Sequence, residues 1–225
     1  MVRKSCLIPA RGGSKGIPRK NLQLVGNRTL VSRAVVSALQ SGVFEGVFVS
    51  TDDKEIAKEA EAHGAHVLWR PEHLGLDATS TEDVIVHHLE TELSDKVDHL
   101  CVIQCTSPFI APAHLRSAMD LLAKTPVTSV FSATPDHSFR WEETPEGTWV
   151  PQGHSKSFRP RRQDLPPVVV ESGAFYMFDI VSFLAEKTRF CGESAAFSVG
   201  RIESLEIDDV EDLEMANALA PLFDR

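Results

Sequence analysis

The sequence predicts a three-layer α/β fold: a mostly parallel sheet with helices on both faces, carrying one irregular arm. Three observations predict it. Short apolar runs alternate with amphipathic stretches of helical length from the first residues onward, the pattern of βαβ units. The chain has 225 residues, 42% of them apolar and 24% charged, enough for a sizeable core. From about Asp136 to Pro167 the alternation gives way to a Pro-, Gly- and Trp-containing stretch. No linker or internal repeat divides the rest, so residues 1–225 read as one domain with an arm at about 136–167.

Each element has its own local reason. Ser5 to Pro9 is a short buried strand. Leu30, Val31, Ala34, Val35, Ala38 and Leu39 recur at helical spacing, with Gly42 as the stop. Val47 to Ser50 is a second strand, Asp53 to His63 a polar helix ending at Gly64, and Val67 to Trp69 a third strand. Ser80 and Asp83 have capping-box spacing ahead of a helix carrying Val84, Ile85, His88, Leu89 and Leu93. His99 to Gln104 is a fourth strand, Ala113 to Lys124 a helix, and Thr128 to Ala133 a fifth strand. A short hairpin is expected around Thr148 to Val150. Val168 to Val170 and Ala174 to Phe178 read as strands, and Val210 to Leu222 as a closing helix.

Charge and composition narrow the function. A net charge of -9 argues against nucleic-acid binding, which calls for a basic stripe. No apolar run approaches the roughly twenty residues that cross a bilayer, so no membrane partner is expected. The start of the chain has too short an apolar stretch for a signal peptide. Cys6, Cys101, Cys105 and Cys191 form no CxxC pair and read as buried reduced thiols. A cytoplasmic protein is the expectation.

Against that acidic background, IPARGGSKGIPRKN (Ile8 to Asn21) gathers Arg11, Lys15, Arg19 and Lys20 around Gly12, Gly13 and Gly16. Glycines that admit close backbone approach, together with several cations, describe a phosphate cradle. Neither GxxxxGK[ST] nor GxGxxG fits the spacing, which disfavours P-loop and nicotinamide enzymes. The competing reading is a solvated loop. Position favours the cradle, because ligands of open α/β sheets bind beyond the carboxyl ends of the strands. The same rule collects Ser50 to Asp53 after the second strand and Gln104 to Pro108 after the fourth. A second cationic island, Lys156, Arg159, Arg161 and Arg162, suggests a second anionic group; a solvated surface is the alternative. In SLEIDDVEDLE, a strand over residues 205 to 207 would turn Glu206 and Asp208 to one side as a hard-oxygen Mg²⁺ site, with Asp209 free to cap the last helix.

The first of these motifs resembles the N-terminal signature of the cytidylyltransferases that activate sugar acids, above all the acylneuraminate cytidylyltransferases. The resemblance continues in order through VSTDD, WRPEHL, IQCTSPF, RPRRQDLP, SGAFYMF and SLEIDD, nearly the whole chain. It implies a Rossmann-like nucleotidyltransferase fold with a small dimerisation arm, and CMP transfer from CTP to an acid with release of pyrophosphate. It further implies that Ala10, Arg11, Gly12, Ser14, Lys20 and Asn21 bind the nucleotide phosphates, with Arg11 or Lys20 offsetting transition-state charge. Arg70, Ser80 and Thr81 then face base and ribose. Gln104, Thr106, Ser107, Arg162 and Tyr176 face the acceptor, and Asp208 with Glu206 holds Mg²⁺. The family's usual Asp-x-Asp is here Glu206-Ile207-Asp208, and its usual Asn-Gly is Ser172-Gly173. N-acylneuraminate is the first expectation for the acceptor. Another nonulosonic acid, Kdo or a small phosphonate is the alternative, and a nucleotide-binding protein without catalysis is the alternative of another class. The resemblance, and Phe139, Trp141 and Trp149 in the arm, point to a homodimer.

Overall fold

A computed structural model describes residues 2–14, 16–93 and 97–224, with the backbone alone at Arg162. Lys15 and the Arg162 side chain therefore lie outside the described residues. Along the chain run β1 (Lys4–Pro9), β2 (Leu24–Val25), β3 (Arg28–Thr29), α1 (Leu30–Ser41), β4 (Gly46–Thr51), α2 (Lys54–Ala62), β5 (His66–Trp69), α3 (Thr81–Glu90), β6 (His99–Ile103), α4 (Pro112–Lys124) and β7 (Ser129–Asp136). There follow β8 (Arg140–Glu143), β9 (Trp149–Gln152), β10 (Val168–Asp179), α5 (Ile180–Glu186), β11 (Ser194–Ser198) and α6 (Val210–Leu219).

Seven strands form one sheet in the order β11-β7-β10-β6-β1-β4-β5. Neighbours pair in parallel except at β10, which runs antiparallel to both β6 and β7. Side chains alternate across it with period two. Cys6 and Ile8 of β1, Cys101 and Ile103 of β6, and Phe175 and Met177 of β10 join the core under α1, α2, α4 and α6. The intervening Leu7, Leu100, Val102, Tyr176 and Phe178 join the core under α3 and α5. The predicted three layers are present.

The caps read from the sequence are in place. Gly42 ends α1 at φ 67°, Ser80 and Asp83 close a reciprocal box at the start of α3, and Asp209 caps α6. Asp53, expected as the first residue of α2, stands one position ahead and caps it through its carboxylate. Other boundaries differ. The two strands expected over 168–178 are one strand, β10, whose register shifts between Glu171 and Tyr176. The closing helix stops at Leu219 and tightens into a 3-10 turn over Ala220–Leu222, where Pro221 removes a donor. No strand forms at 205–207. The segment is extended and tied to the 104–108 loop by a single backbone bond, Ile207 N–H to Thr106 O at 2.9 Å. The β2–β3 ribbon, α5 and β11 were not expected. The first is two residues per strand, α5 spans seven residues, and β11 (SAAFS) is short and weakly apolar.

The arm contains the β8–β9 hairpin and exposes Trp141, Trp149, Val150 and Phe158. Its cations are engaged locally. The Arg159 guanidinium lies 4.3 Å from the Phe139 ring, Lys156 Nζ lies 6.0 Å from Trp141, and Arg161 pairs with Asp164 at 2.8 Å. Among the described residues, no helix is long and apolar enough to cross a membrane.

Candidate active site

The loops at the carboxyl ends of β1, β5 and β6, with the 206–208 segment, surround a cleft of about 440 Å³. Its walls include Arg11, Ser14, Lys20, Asn21, Arg70, Ser80, Thr81, Gln104, Thr106, Glu206 and Asp208, so the structure gathers most of the residues singled out in the sequence. The parallel strands place these loops side by side although the sequence separates them by nearly 200 positions.

The glycine loop leaves β1 and turns back through a 3-10 turn over Lys20–Leu22. Asn21 is nearly buried and donates from Nδ2 to Arg11 O at 2.9 Å, bracing the loop from inside. Arg11 reaches across to the segment before α3, donating to Leu76 O at 2.9 Å and pairing with Asp77 at 2.8 Å. Lys20 reaches the other wall, with Nζ 2.8 Å from Ile207 O and 3.2 Å from Asp208 Oδ1. Gly16 makes that approach possible. A Cβ there would stand 2.5 Å from the backbone oxygen of Asp208.

Glu206 and Asp208 share the floor near Gln104 and Thr106. Thr106 Oγ1 donates to Glu206 at 3.2 Å. Burial, then the neighbouring Asp208 charge, pushes the Glu206 carboxyl up from its ordinary value, against the pull of Thr106 and Lys20. Gly173, at φ +70°, leaves room for this group: a Cβ there would lie 3.0 Å from Glu206 Oε2 and 3.2 Å from Gln104 Oε1. Its neighbour Ser172 faces the interior and donates to Ser132 Oγ at 2.8 Å. The serine that stands where the family usually has asparagine is thus spent on holding the irregularity in β10.

Arg70 is almost buried in the opposite wall. Burial lowers its proton affinity most, with Arg11 adding to the effect and Asp52 opposing it. Three of its N–H groups are fixed to protein, on Ser50 Oγ at 3.3 Å, Ser50 O at 3.1 Å and Leu74 O at 3.3 Å. Ser80 caps α3 and Thr81 opens it, and both line the cleft.

Some singled-out residues do not line the cleft. Ala10 is fully buried beneath it, its N–H on Ser50 O at 2.9 Å. Gly12 lies beside it, held by Asp52 Oδ1 at 2.8 Å. Ser107 is buried in the turn after β6, with no partner for its hydroxyl among the described residues. Tyr176 points into the core under α3 and α5, donates its hydroxyl to Glu171, and carries the Arg189 guanidinium 4.3 Å from its ring. Period two explains Tyr176: its neighbours Phe175 and Met177 occupy the other face. Lys156, Arg159 and Arg161 do not reach the cleft of this chain either, because the arm's rings and Asp164 engage them. Sequence reasoning missed Leu76, Asp77 and Thr79, which line the cleft. Their only signal was their place just before the Ser80 cap.

The profile of the family described as Cytidylyltransferase matches residues 5–186. The chain is 42% identical over 175 residues to N-acylneuraminate cytidylyltransferase A of Danio rerio, covering 76% of this chain and 40% of that protein. This chain thus spans about two fifths of the length of that relative. It is 32% identical over 226 residues to the pseudaminic acid cytidylyltransferase of Campylobacter jejuni, covering 97% of this chain and 96% of the relative. Among solved structures, a CMP:2-keto-3-deoxy-manno-octonic acid synthetase complexed with CTP superposes with a TM-score of 0.72 at 18% identity, covering 98% of this chain and 99% of that one. At that identity the likeness speaks for the fold. Fold, ordered motifs and end-to-end similarity agree that this chain belongs to the cytidylyltransferases, among those related to the N-acylneuraminate and pseudaminic acid enzymes.

Proposed function

We propose that this chain transfers CMP from CTP to a sugar acid, N-acylneuraminate first among them, and releases pyrophosphate. The observation that carries the reading is the cleft itself, where Arg11 and Lys20 face each other across a space bounded by Glu206 and Asp208. The acceptor's hydroxyl oxygen forms a bond to the α-phosphorus as the bond to the β-phosphate oxygen breaks. The hydroxyl proton passes to solvent and pyrophosphate leaves. Such a transfer needs placement and positive charge more than covalent help. Arg11 and Lys20 supply that charge, exchanging Asp77 and Asp208 for phosphate oxygens. Asn21 keeps the loop in shape, Ser14 and the backbone around Gly12 bind phosphate, and Arg70, Ser80 and Thr81 hold base and ribose. Gln104 and Thr106 face the acceptor.

Glu206 and Asp208 suit a divalent cation. Two crowded acidic groups, one with its carboxyl pushed up, form a hard-oxygen corner whose repulsion such a cation relieves. Mg²⁺ held there supplies charge against the phosphates and acidifies the attacking hydroxyl. The exposed aromatic rings of the arm support a homodimer joined through β8 and β9, in a cytoplasmic enzyme.

A second reading, transfer to another nonulosonic acid, is favoured by the end-to-end match with the pseudaminic acid relative. Pyrophosphate release, measured with each nucleoside triphosphate and a panel of acids, with and without Mg²⁺, tests both. Release with CTP and N-acylneuraminate supports the first. Release only with pseudaminic acid selects the second, and CTP binding without any turnover refutes both.

A further inference from the structure

His88 is fully buried on the inner face of α3 and plays no part in the cleft described above. Both its ring nitrogens are engaged. Nδ1 lies 3.0 Å from Glu92 Oε2, and Nε2 lies 2.7 Å from Ser50 Oγ. Ser50 is also fully buried, and it is the residue on which two of the Arg70 N–H groups rest. Its carbonyl additionally accepts the N–H of Ala10, where the glycine loop begins. With a neutral ring, one arrangement of protons satisfies every contact. Ionised Glu92 can only accept, so Nδ1 carries the hydrogen and Nε2 accepts from the Ser50 hydroxyl. That leaves the serine lone pairs free to accept from Arg70 Nε–H.

From this we infer that Glu92, His88 and Ser50 form a relay, buried at His88 and Ser50, that orients Arg70 in the nucleotide wall of the cleft. Glu92 and His88 are positioning residues, acting through Ser50. The inference rests on the reading of the cleft as a CTP site. The carboxylate sets the imidazole tautomer, the tautomer sets the hydroxyl direction, and the hydroxyl sets the guanidinium. The electrostatics agree: burial and the nearby Arg70 and His87 charges disfavour imidazolium against the pull of Glu92, so the ring stays neutral as the relay needs. His87, His88 and Glu92 also stand close enough together to suggest a metal site. With both His88 nitrogens committed inward, the ring is not a free ligand.

Glu92→Gln is the informative variant, because the Glu92 side chain is partly exposed and its replacement leaves the core intact. The amide can turn either its oxygen or its NH2 to Nδ1, so it no longer holds the ring hydrogen there, and the Ser50 hydroxyl loses its fixed direction toward Arg70. CTP affinity, measured by calorimetry on the full chain, is expected to fall about 3- to 10-fold, the size of one hydrogen bond, with kcat at saturating CTP unchanged. Ser50→Ala is expected to weaken CTP similarly. Adding Glu92→Gln to Ser50→Ala should then do nothing more, since the coupling passes through the serine. Glu90→Gln, an exposed carboxylate at the last position of α3, serves as the control with unchanged affinity. Nitrogen-15 spectra should show the Nδ1–H tautomer of His88 in the wild type and a mixture of both tautomers in Glu92→Gln. A melting temperature that falls in Glu92→Gln while CTP affinity stays at the wild-type value would mean that the relay merely fastens α3 to β4, and the inference fails. Wild-type protein that does not bind CTP overturns the nucleotide reading, and this inference with it.

Discussion

The sharpest mechanical test lies in the contrast between two glycines of the basic loop. Gly16→Ala adds one methyl group where the nearest atom is the backbone oxygen of Asp208, 2.5 Å away. Backbone cannot swing aside as a side chain does, so reaching an ordinary contact at 3.4 Å requires the loop and the 206–208 segment to part by about 0.9 Å. The bond from Lys20 Nζ to Ile207 O, now 2.8 Å, spans that gap and would lengthen to about 3.7 Å, outside hydrogen-bonding range. Losing one hydrogen bond from a charged donor costs about 1.5 kcal/mol. For a chain of this size that lowers the melting temperature by about 3 to 6 °C. The effect on turnover is larger, because a catalytic group misplaced by about 1 Å can slow a reaction by about 100-fold. Gly13→Ala is the control: a Cβ there meets nothing within 4 Å. Pyrophosphate release at saturating CTP and thermal melts, run on both variants, read the outcome. Wild-type turnover in Gly16→Ala, or equal damage in Gly13→Ala, would refute the claim that close packing of loop and floor sets the Lys20 position.

Other outcomes follow from the same geometry. Lys20→Met keeps the shape and removes the charge; kcat/KM should fall by about 10² to 10³, as when one transition-state contact is removed, and the variant should still fold. Asp224→Ala strips the partner from the buried Arg33 guanidinium, whose side chain is 7% exposed. Denaturant unfolding should then report a loss of about 3 kcal/mol, the lower end for breaking a buried pair, because Arg33 Nε keeps Val25 O. Acid stability has a definite sign. The Asp98 and Asp136 carboxyls are held down at about 2 by Arg3 and by Ser138 respectively; burial pushes the Glu92 carboxyl up, but Thr91 and His88 outweigh it and hold it at about 2. Their contribution is present above the ordinary carboxylate range and is lost as pH falls from about 4.5 toward 2. His88, lowered by burial, adds a loss that begins as pH drops below its ordinary 6.5. Urea midpoints measured from pH 7 to pH 3 should therefore fall steadily; a flat profile would contradict these assignments.

Legibility in the sequence followed the range of the physics involved. Hydrophobic period and capping chemistry act within a few residues, so α1 with its Gly42 stop, α2 with Asp53 and α3 with its Ser80–Asp83 box could be read directly. The basic loop and the Glu206–Asp208 pair were visible as unusual local chemistry, and the rule that sites gather at strand ends placed the loop beside residues 104–108; only the tertiary structure brought Glu206 and Asp208 to them. Tertiary structure decided the remainder. Whether β10 would run antiparallel between β6 and β7 depends on pairing partners tens of residues away. Among the described residues, the segment at 205–207 carries a strand-like pattern but makes one backbone bond to a neighbouring segment, Ile207 N–H to Thr106 O, and strands need a ladder. Tyr176 turned inward because its position in β10 assigns it to the face under α3 and α5, a choice of parity no local motif reveals. Of the relay from Glu92 to Arg70 the sequence shows only the i,i+4 spacing of His88 and Glu92: Ser50 and Arg70 join them only where the sheet has brought β4, the end of β5 and α3 into contact.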